Sequence, residues 1–219
     1  MNLIYVRHAI AMEREEFSRY CIERGLDADD ELRPLTAEGK RKMLDNARGL
    51  RRLLERVLDQ HGSRPIIVTS PLVRARQTAE ILERVFYPEL HQADGAGKKK
   101  SRKKHKRLNR RKGPGTQILA TETLAPGHSP EDFRNWLYDR VRGGELGRLP
   151  PGTVVLAIGH EPELSQAVHW WLTGQVKART PFKKGGALNL ELGQALFPSE
   201  ARLMWSMPPS VLRVLSKAT

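Results

Sequence analysis

The chain is short of cysteine, of acid and of long apolar runs. Cys21 is the one cysteine in 219 residues, which excludes an intrachain disulfide framework and any metal site built on several thiolates. No apolar run reaches the ~18 residues of a membrane span, so no membrane contact is expected. The stretch from Met1 to Val6 is too short, before Arg7 and His8, to serve as a signal peptide, and a cytoplasmic location is expected. Asp plus Glu number 25 against 38 Lys plus Arg, a net charge of +13. The 39% hydrophobic and 29% charged content is that of a soluble globular chain, and the length suits one domain or one domain with an insertion. A fold of this size buries roughly 70% of the surface its unfolded chain exposes, so its core needs no staples.

The charge is concentrated. Between Lys98 and Lys112 stand eleven Lys or Arg residues and no acid, which leaves +2 for the rest of the chain. Gly95 and Gly97 precede the run and Gly113-Pro114-Gly115 follows it, the punctuation of a loop that leaves and rejoins a fold. So many like charges resist collapse, and disorder is expected there. The run reads either as a solvated loop or as a tether for nucleic acid or another polyanion. No aromatic residue interrupts it, so nucleic-acid contact through Lys98 to Lys112 would be sequence-independent and salt-sensitive, without base stacking.

Apolar and β-branched runs predict strands at 3–6, 65–69, 116–120 (weaker) and 153–158. Residues 188–192 alternate and read as a half-exposed strand, with 201–205 as its partner. Helices are expected between them. Thr36 caps one that carries Leu44, Leu50, Leu54 and Leu58 at helical spacing. Ser70-Pro71 and Ser129-Pro130 have the form of N-cap and first helical residue, and a further helix runs from Glu161 to Leu172. Strands that alternate with helices imply an α/β fold with a mostly parallel sheet.

In such folds ligands bind at the carboxyl ends of the strands. Arg7-His8 follows the first strand, Ser70 to Ala75 the second, and Gly159-His160-Glu161 the fourth. If those strands are neighbours, two histidines and two arginines surround one pocket. Arginine's planar fork matches phosphate oxygens. Arg74 falls in the first turn of a helix, where anions are favoured. A neutral histidine is a competent nucleophile toward phosphorus.

Val6-Arg7-His8-Ala9 resembles the Arg-His signature of the histidine phosphatase superfamily, the phosphoglycerate-mutase-like proteins. The decapeptide from Ser70 to Ala79 resembles its second motif, and Ile158-Gly159-His160-Glu161-Pro162 its third. Arg33-Pro34-Leu35-Thr36, the short chain and the closing Met204-Trp205, Pro208-Pro209 and Leu212-Arg213 are similar to SixA-type phosphohistidine phosphatases. The resemblance spans nearly the whole chain outside the basic run. It implies one three-layer α/β domain over 1–219, with a mostly parallel central sheet and helices on both faces, interrupted by the basic insertion at about 94–115.

The same resemblance implies a phosphatase that needs no metal or cofactor and works through a covalent phosphohistidine on His8. Arg7, Arg74 and His160 would bind the phosphoryl oxygens, with His160 kept protonated by the bound phosphate. Arg33 matches a further phosphate-binding arginine; by its own spacing it equally suits a pair with Asp29, Asp30 or Glu31. Glu122 is the candidate general acid, and also reads as a plain surface carboxylate. A phosphohistidine substrate makes little demand on an acid, because imidazole leaves more readily than an alkoxide. Ser70 reads as a helix cap. Ala9 stands where the superfamily usually has glycine, so the backbone there must avoid positive φ.

The expected substrate is a phosphorylated protein at a shallow pocket. The alternatives are a small phosphomonoester, such as a sugar or nucleotide phosphate, and a polyanion-binding protein that uses the basic run.

Overall fold

The computed structural model describes residues 1–61, 64–94, 118–142, 152–176, 182–193 and 195–218. The basic run 98–112 lies outside them, as does the expected insertion beyond residue 94, so the readings placed on that segment have no structural counterpart here.

Six strands form one sheet: β1 (Asn2–Arg7), β2 (Ile66–Thr69), β3 (Ile118–Ala120), β4 (Val154–Gly159), β5 (Ala187–Glu191) and β6 (Arg202–Met207). Their order is β3-β2-β4-β1-β5-β6. The first four are parallel to one another, β5 runs antiparallel to β1, and β6 runs antiparallel to β5. β4 is buried along its entire length, as befits a strand covered on both faces. The side chains of β1 alternate between two cores. Ile4 and Val6 pack with Met43, Leu50, Ala79, Leu82 and Leu212; Leu3 and Tyr5 pack with Phe133, Leu137, Val168 and Trp171.

Each core belongs to one helical layer. The first is covered by α2 (Ala37–His61), α3 (Val73–Phe86) and α6 (Pro209–Leu215), the second by α4 (Pro130–Arg142) and α5 (Glu163–Thr173). This is the α/β fold that the strand and helix pattern predicts, in the three layers that the resemblance implies. Trp170 and Trp171 serve the second core, as T-shaped neighbours 4.9 Å apart. Trp171 Nε1 donates to the Tyr5 hydroxyl at 2.8 Å.

The caps explain where helices begin. Thr36 Oγ1 accepts from Gly39 N at 2.9 Å, which starts α2 as expected. Ser129 and Asp132 cap α4 reciprocally, at 3.2 and 2.8 Å. Two expectations need correction. α3 begins at Val73, after Leu72, so Ser70 is not its N-cap residue. β5 is buried up to Glu191 rather than half-exposed, because Ala187 packs in the first core and Leu188 and Leu190 in the second; its buried polar residue, Asn189, donates to Asn2 Oδ1 at 3.1 Å. α1 (Arg14–Ile22) was not foreseen; it buries only Phe17 and Cys21, too sparse a stripe to stand out.

Gly39 fixes how α2 meets the first loop. A Cβ there would lie 2.0 Å from the Ile10 carbonyl oxygen, so only glycine admits this approach. Thr36 N–H donates to the same carbonyl at 3.0 Å. The Arg33 segment is thereby held beside residues 8–12.

Candidate active site

Sheet register brings the three motifs to one edge. Arg7 pairs with Gly159 across β1 and β4, and Thr69 with Ile158 across β2 and β4. His8 N–H donates to the Gly159 carbonyl, and Ser70 N–H to that of Ile158. His8 and His160 therefore leave adjacent strands side by side, with ring centroids 5.0 Å apart. Both are buried, as are Arg74 and Arg33.

His8 is oriented by its own main chain. Its Nδ1 lies 2.8 Å from the Ala9 carbonyl oxygen. A carbonyl only accepts, so Nδ1 carries the proton and Nε2 keeps a lone pair. Ala9 N–H donates to Thr78 Oγ1 at 3.0 Å, which locks this turn to α3. The residues other than glycine with positive φ are Leu196 and Ser199 among those described. Ala9 thus takes the place of the usual glycine without backbone strain.

His160 leans on Ser70, with Nε2 at 2.9 Å from Oγ. Ser70 Oγ also accepts from Leu72 N at 3.3 Å; a hydroxyl keeps a second lone pair as well as its proton, so the contact suits either tautomer of the His160 ring. The His160 Nδ1 is buried without a partner. Sequence reasoning gave Ser70 a capping role and missed this bond, because it links residues ninety positions apart.

The guanidinium groups are held from behind. Arg7 Nη1 donates to the Phe182 carbonyl, and Phe182 N–H in turn donates to Glu161 Oε1 at 2.8 Å. Gly185 N–H reaches the carbonyls of Arg7 and His8. Arg74 and Arg33 converge on Asp30, at 3.1 and 2.8 Å. The Nε atoms of Arg7 and Arg74 remain buried without a partner. Buried donors are seldom left unmade, so these two beside His8, with the unpartnered His160 Nδ1, mark a place for an acceptor-rich anion.

The structure thus gathers His8, His160, Arg7, Arg74 and Arg33 at one edge. Glu122 is exposed, at the start of the 3-10 turn Glu122–Leu124 that follows β3. β3 is an edge strand, three places from β1, and the turn after it reaches back to the end of β4, where the Leu124 carbonyl lies beside Gly159. Sequence reasoning did not place Phe182 or Gly185 in the site, named Glu161 at the strand end without a role, and offered Asp30 only as one of three possible partners of Arg33. An acid three residues before Arg33 was the only visible hint.

Burial, the nearby charges of Arg74, Arg7 and Lys184, and only partial compensation from the Ala9 carbonyl push the His8 imidazole down to about 3. Burial, the neighbouring His8 and the same arginines push His160 down to about 2. Both rings are neutral when folded and ordinary bases near 6.5 when unfolded. Below that pH the unfolded chain takes up protons that the folded chain refuses, so stability falls with acid. Melts across pH 4–6 should show it. His160→Gln should reduce the slope by about 1.4 kcal/mol per pH unit; an unchanged slope would show that His160 is not buried as a neutral ring.

No family model matches the chain. An uncharacterized protein of Picosynechococcus is 30% identical over 195 residues, covering 89% of this chain and 87% of that protein. The structure of the protein histidine phosphatase SixA complexed with tungstate is similar at a TM-score of 0.62 and 19% identity, covering 97% of this chain and 99% of that one. Mycobacterial glucosyl-3-phosphoglycerate phosphatase complexed with VO3 is similar at 0.56 and 13% identity, covering 94% and 99%. The phosphoserine phosphatase of Entamoeba histolytica is similar at 0.52 and 13%, covering 96% and 98%. With the fold and its strand-end residues in view, this chain belongs to one family with the Picosynechococcus protein and has the fold of the histidine phosphatase superfamily.

Proposed function

We propose that the chain is a phosphohistidine phosphatase of SixA type, acting on phosphorylated proteins through a covalent intermediate on His8. The observation that carries this reading is a buried neutral imidazole with its Nε2 lone pair free, beside two buried arginine donors and a His160 ring nitrogen that lack partners. A nucleophile needs the first and a phosphoryl group needs the second. The fold shared with SixA, which was captured with tungstate, a phosphate-like oxyanion, supports the same reading.

The chemistry takes two displacements. His8 Nε2 attacks phosphorus in line; the Nε2–P bond forms while the P–N bond of the substrate breaks. With the other nitrogen of the substrate ring carrying a proton, the ring takes the electron pair of the breaking P–N bond and leaves as a neutral imidazole. The Ala9 carbonyl faces the Nδ1–H of His8, where positive charge grows as the Nε2–P bond forms. Water then attacks phosphorus, Nε2 recovers its lone pair, and inorganic phosphate departs. Arg7, Arg74 and His160 bind the equatorial oxygens, where the loose transition state spreads its charge. A bound dianion draws a proton onto His160, opposing the depression that burial, His8 and the arginines impose.

The test is a comparison of substrates: a phosphoramidate, a phosphohistidine protein and a panel of sugar phosphates, with His8→Ala as the blank. The phosphohistidine protein should be the best substrate, and Glu122→Gln should leave phosphoramidate hydrolysis intact. Preference for a sugar phosphate, lost in Glu122→Gln, would instead make the protein a small-molecule phosphomonoesterase.

A further inference from the structure

Asp30 opens the 3-10 turn Asp30–Leu32. Asp29 Oδ1 accepts from Glu31 N at 3.0 Å and fixes the turn. From there one residue grips two buried arginines. Asp30 Oδ1 accepts from Arg33 Nε at 2.8 Å and faces Arg14 Nε at 3.3 Å. Oδ2 faces Arg74 Nη2 at 3.1 Å. The Asp30 main-chain carbonyl accepts from Arg74 Nη1 at 2.7 Å. Arg33 Nη1 is tied to the Met12 carbonyl at 2.7 Å.

The consequence for Arg74 is geometric. Both of its terminal nitrogens are held by Asp30, so the guanidinium plane cannot swing, and its direction is set with Nε left over. The consequence for Arg33 is similar, since Nε and Nη1 are both engaged. There is also an electrostatic side. Arg14 and Arg33 oppose the charge of Arg74, and Asp30 supports it. Burial pushes the Asp30 carboxyl up, but the bond to Arg33 and the charges of Arg74, Arg33 and Arg14 outweigh it and hold the group below the usual carboxylate range.

We propose that Asp30 is a positioning residue of the phosphoryl site, which aims Arg74 and Arg33 at the bound anion. The proposal rests on the phosphatase reading above. Asp30 has the same sign of charge as a phosphoryl group, so it acts through the two arginines. Misplacing such groups by about 1 Å can cost on the order of 10²-fold in rate.

The experiment measures tungstate affinity by calorimetry, together with kcat and KM on a phosphoramidate, for the full chain and for Asp30→Asn and Asp30→Glu. Asp30→Asn removes the charge and turns an acceptor into a donor that faces guanidinium. Tungstate should bind about tenfold more weakly, and kcat/KM should fall by about 10²-fold, at a melting temperature near that of the unaltered chain. Asp30→Glu restores the charge and should recover part of both losses. If Asp30→Asn does not fold, Asp30→Glu decides alone, because it keeps the buried arginines compensated while shifting the carboxylate by one methylene. Tungstate binding as tight as in the unaltered chain, in either folded variant, overturns the proposal. Tighter binding would overturn it too, by making Asp30 a competitor of the anion. An unaltered chain that binds tungstate yet hydrolyses none of the substrates would refute the phosphatase reading instead, and the affinities would still judge Asp30.

Discussion

His8→Ala should abolish turnover, by on the order of 10⁵-fold or more, while the protein stays folded. The size follows from the position of the ring. Among the described residues, the neighbouring candidates are engaged: Ser70 Oγ is bonded to Leu72 and His160, and His160 Nε2 is bonded to Ser70. Water alone would have to attack a phosphoryl group held by the remaining donors. The His8 side chain makes one hydrogen bond among the described residues, to the carbonyl of the next residue, so its loss breaks no long-range tie. Oxyanion binding should survive the substitution, which separates the nucleophile from the donors. Turnover and tungstate affinity measured on the same preparation check both halves. A variant that keeps a tenth of the activity would remove His8 from the chemistry.

Arg74→Lys is the second large effect, and it tests geometry against charge. Lysine keeps the positive charge but offers a single point donor in place of a planar fork. It cannot hold the Asp30 carbonyl and carboxylate together and still present a third donor from a fixed direction. Removing one preorganised donor typically costs 10²–10³-fold, and a loss of about that size in kcat is expected. The fall in melting temperature should be small, because Asp30 keeps Arg33 and Arg14. Steady-state kinetics and a thermal melt decide. Full activity in Arg74→Lys would mean that charge alone suffices, and the argument from the fork would fall.

The parts of the site that could be read from the chain are those attached to strand ends. β1 and β4 are continuous apolar runs because both of their faces are covered, and Arg7-His8 and Gly159-His160 mark where those runs stop. Their adjacency needed only the parallel order β2-β4-β1. The supports were hidden for a physical reason. Phe182, Gly185 and Ala9 contribute main-chain atoms, and a carbonyl has no signature in a sequence. Asp30 looked like one acid among several near Arg33; its hold on Arg74 spans 44 positions. α1 escaped notice because two buried residues in nine make no stripe. β5 was misjudged because Asn189 in an alternating pattern suggests water, whereas here it pairs with Asn2 inside the sheet.

A pre-steady-state quench bears most directly on the central idea. The protein is mixed with a ³²P-labelled phosphoramidate, stopped in base within one turnover, and mapped by mass spectrometry. A base-stable, acid-labile phosphoryl group on the ring of residue 8, formed and lost at rates that account for turnover, is the predicted outcome. Release of labelled phosphate with no adduct at that position, or an adduct on another side chain, would contradict the account.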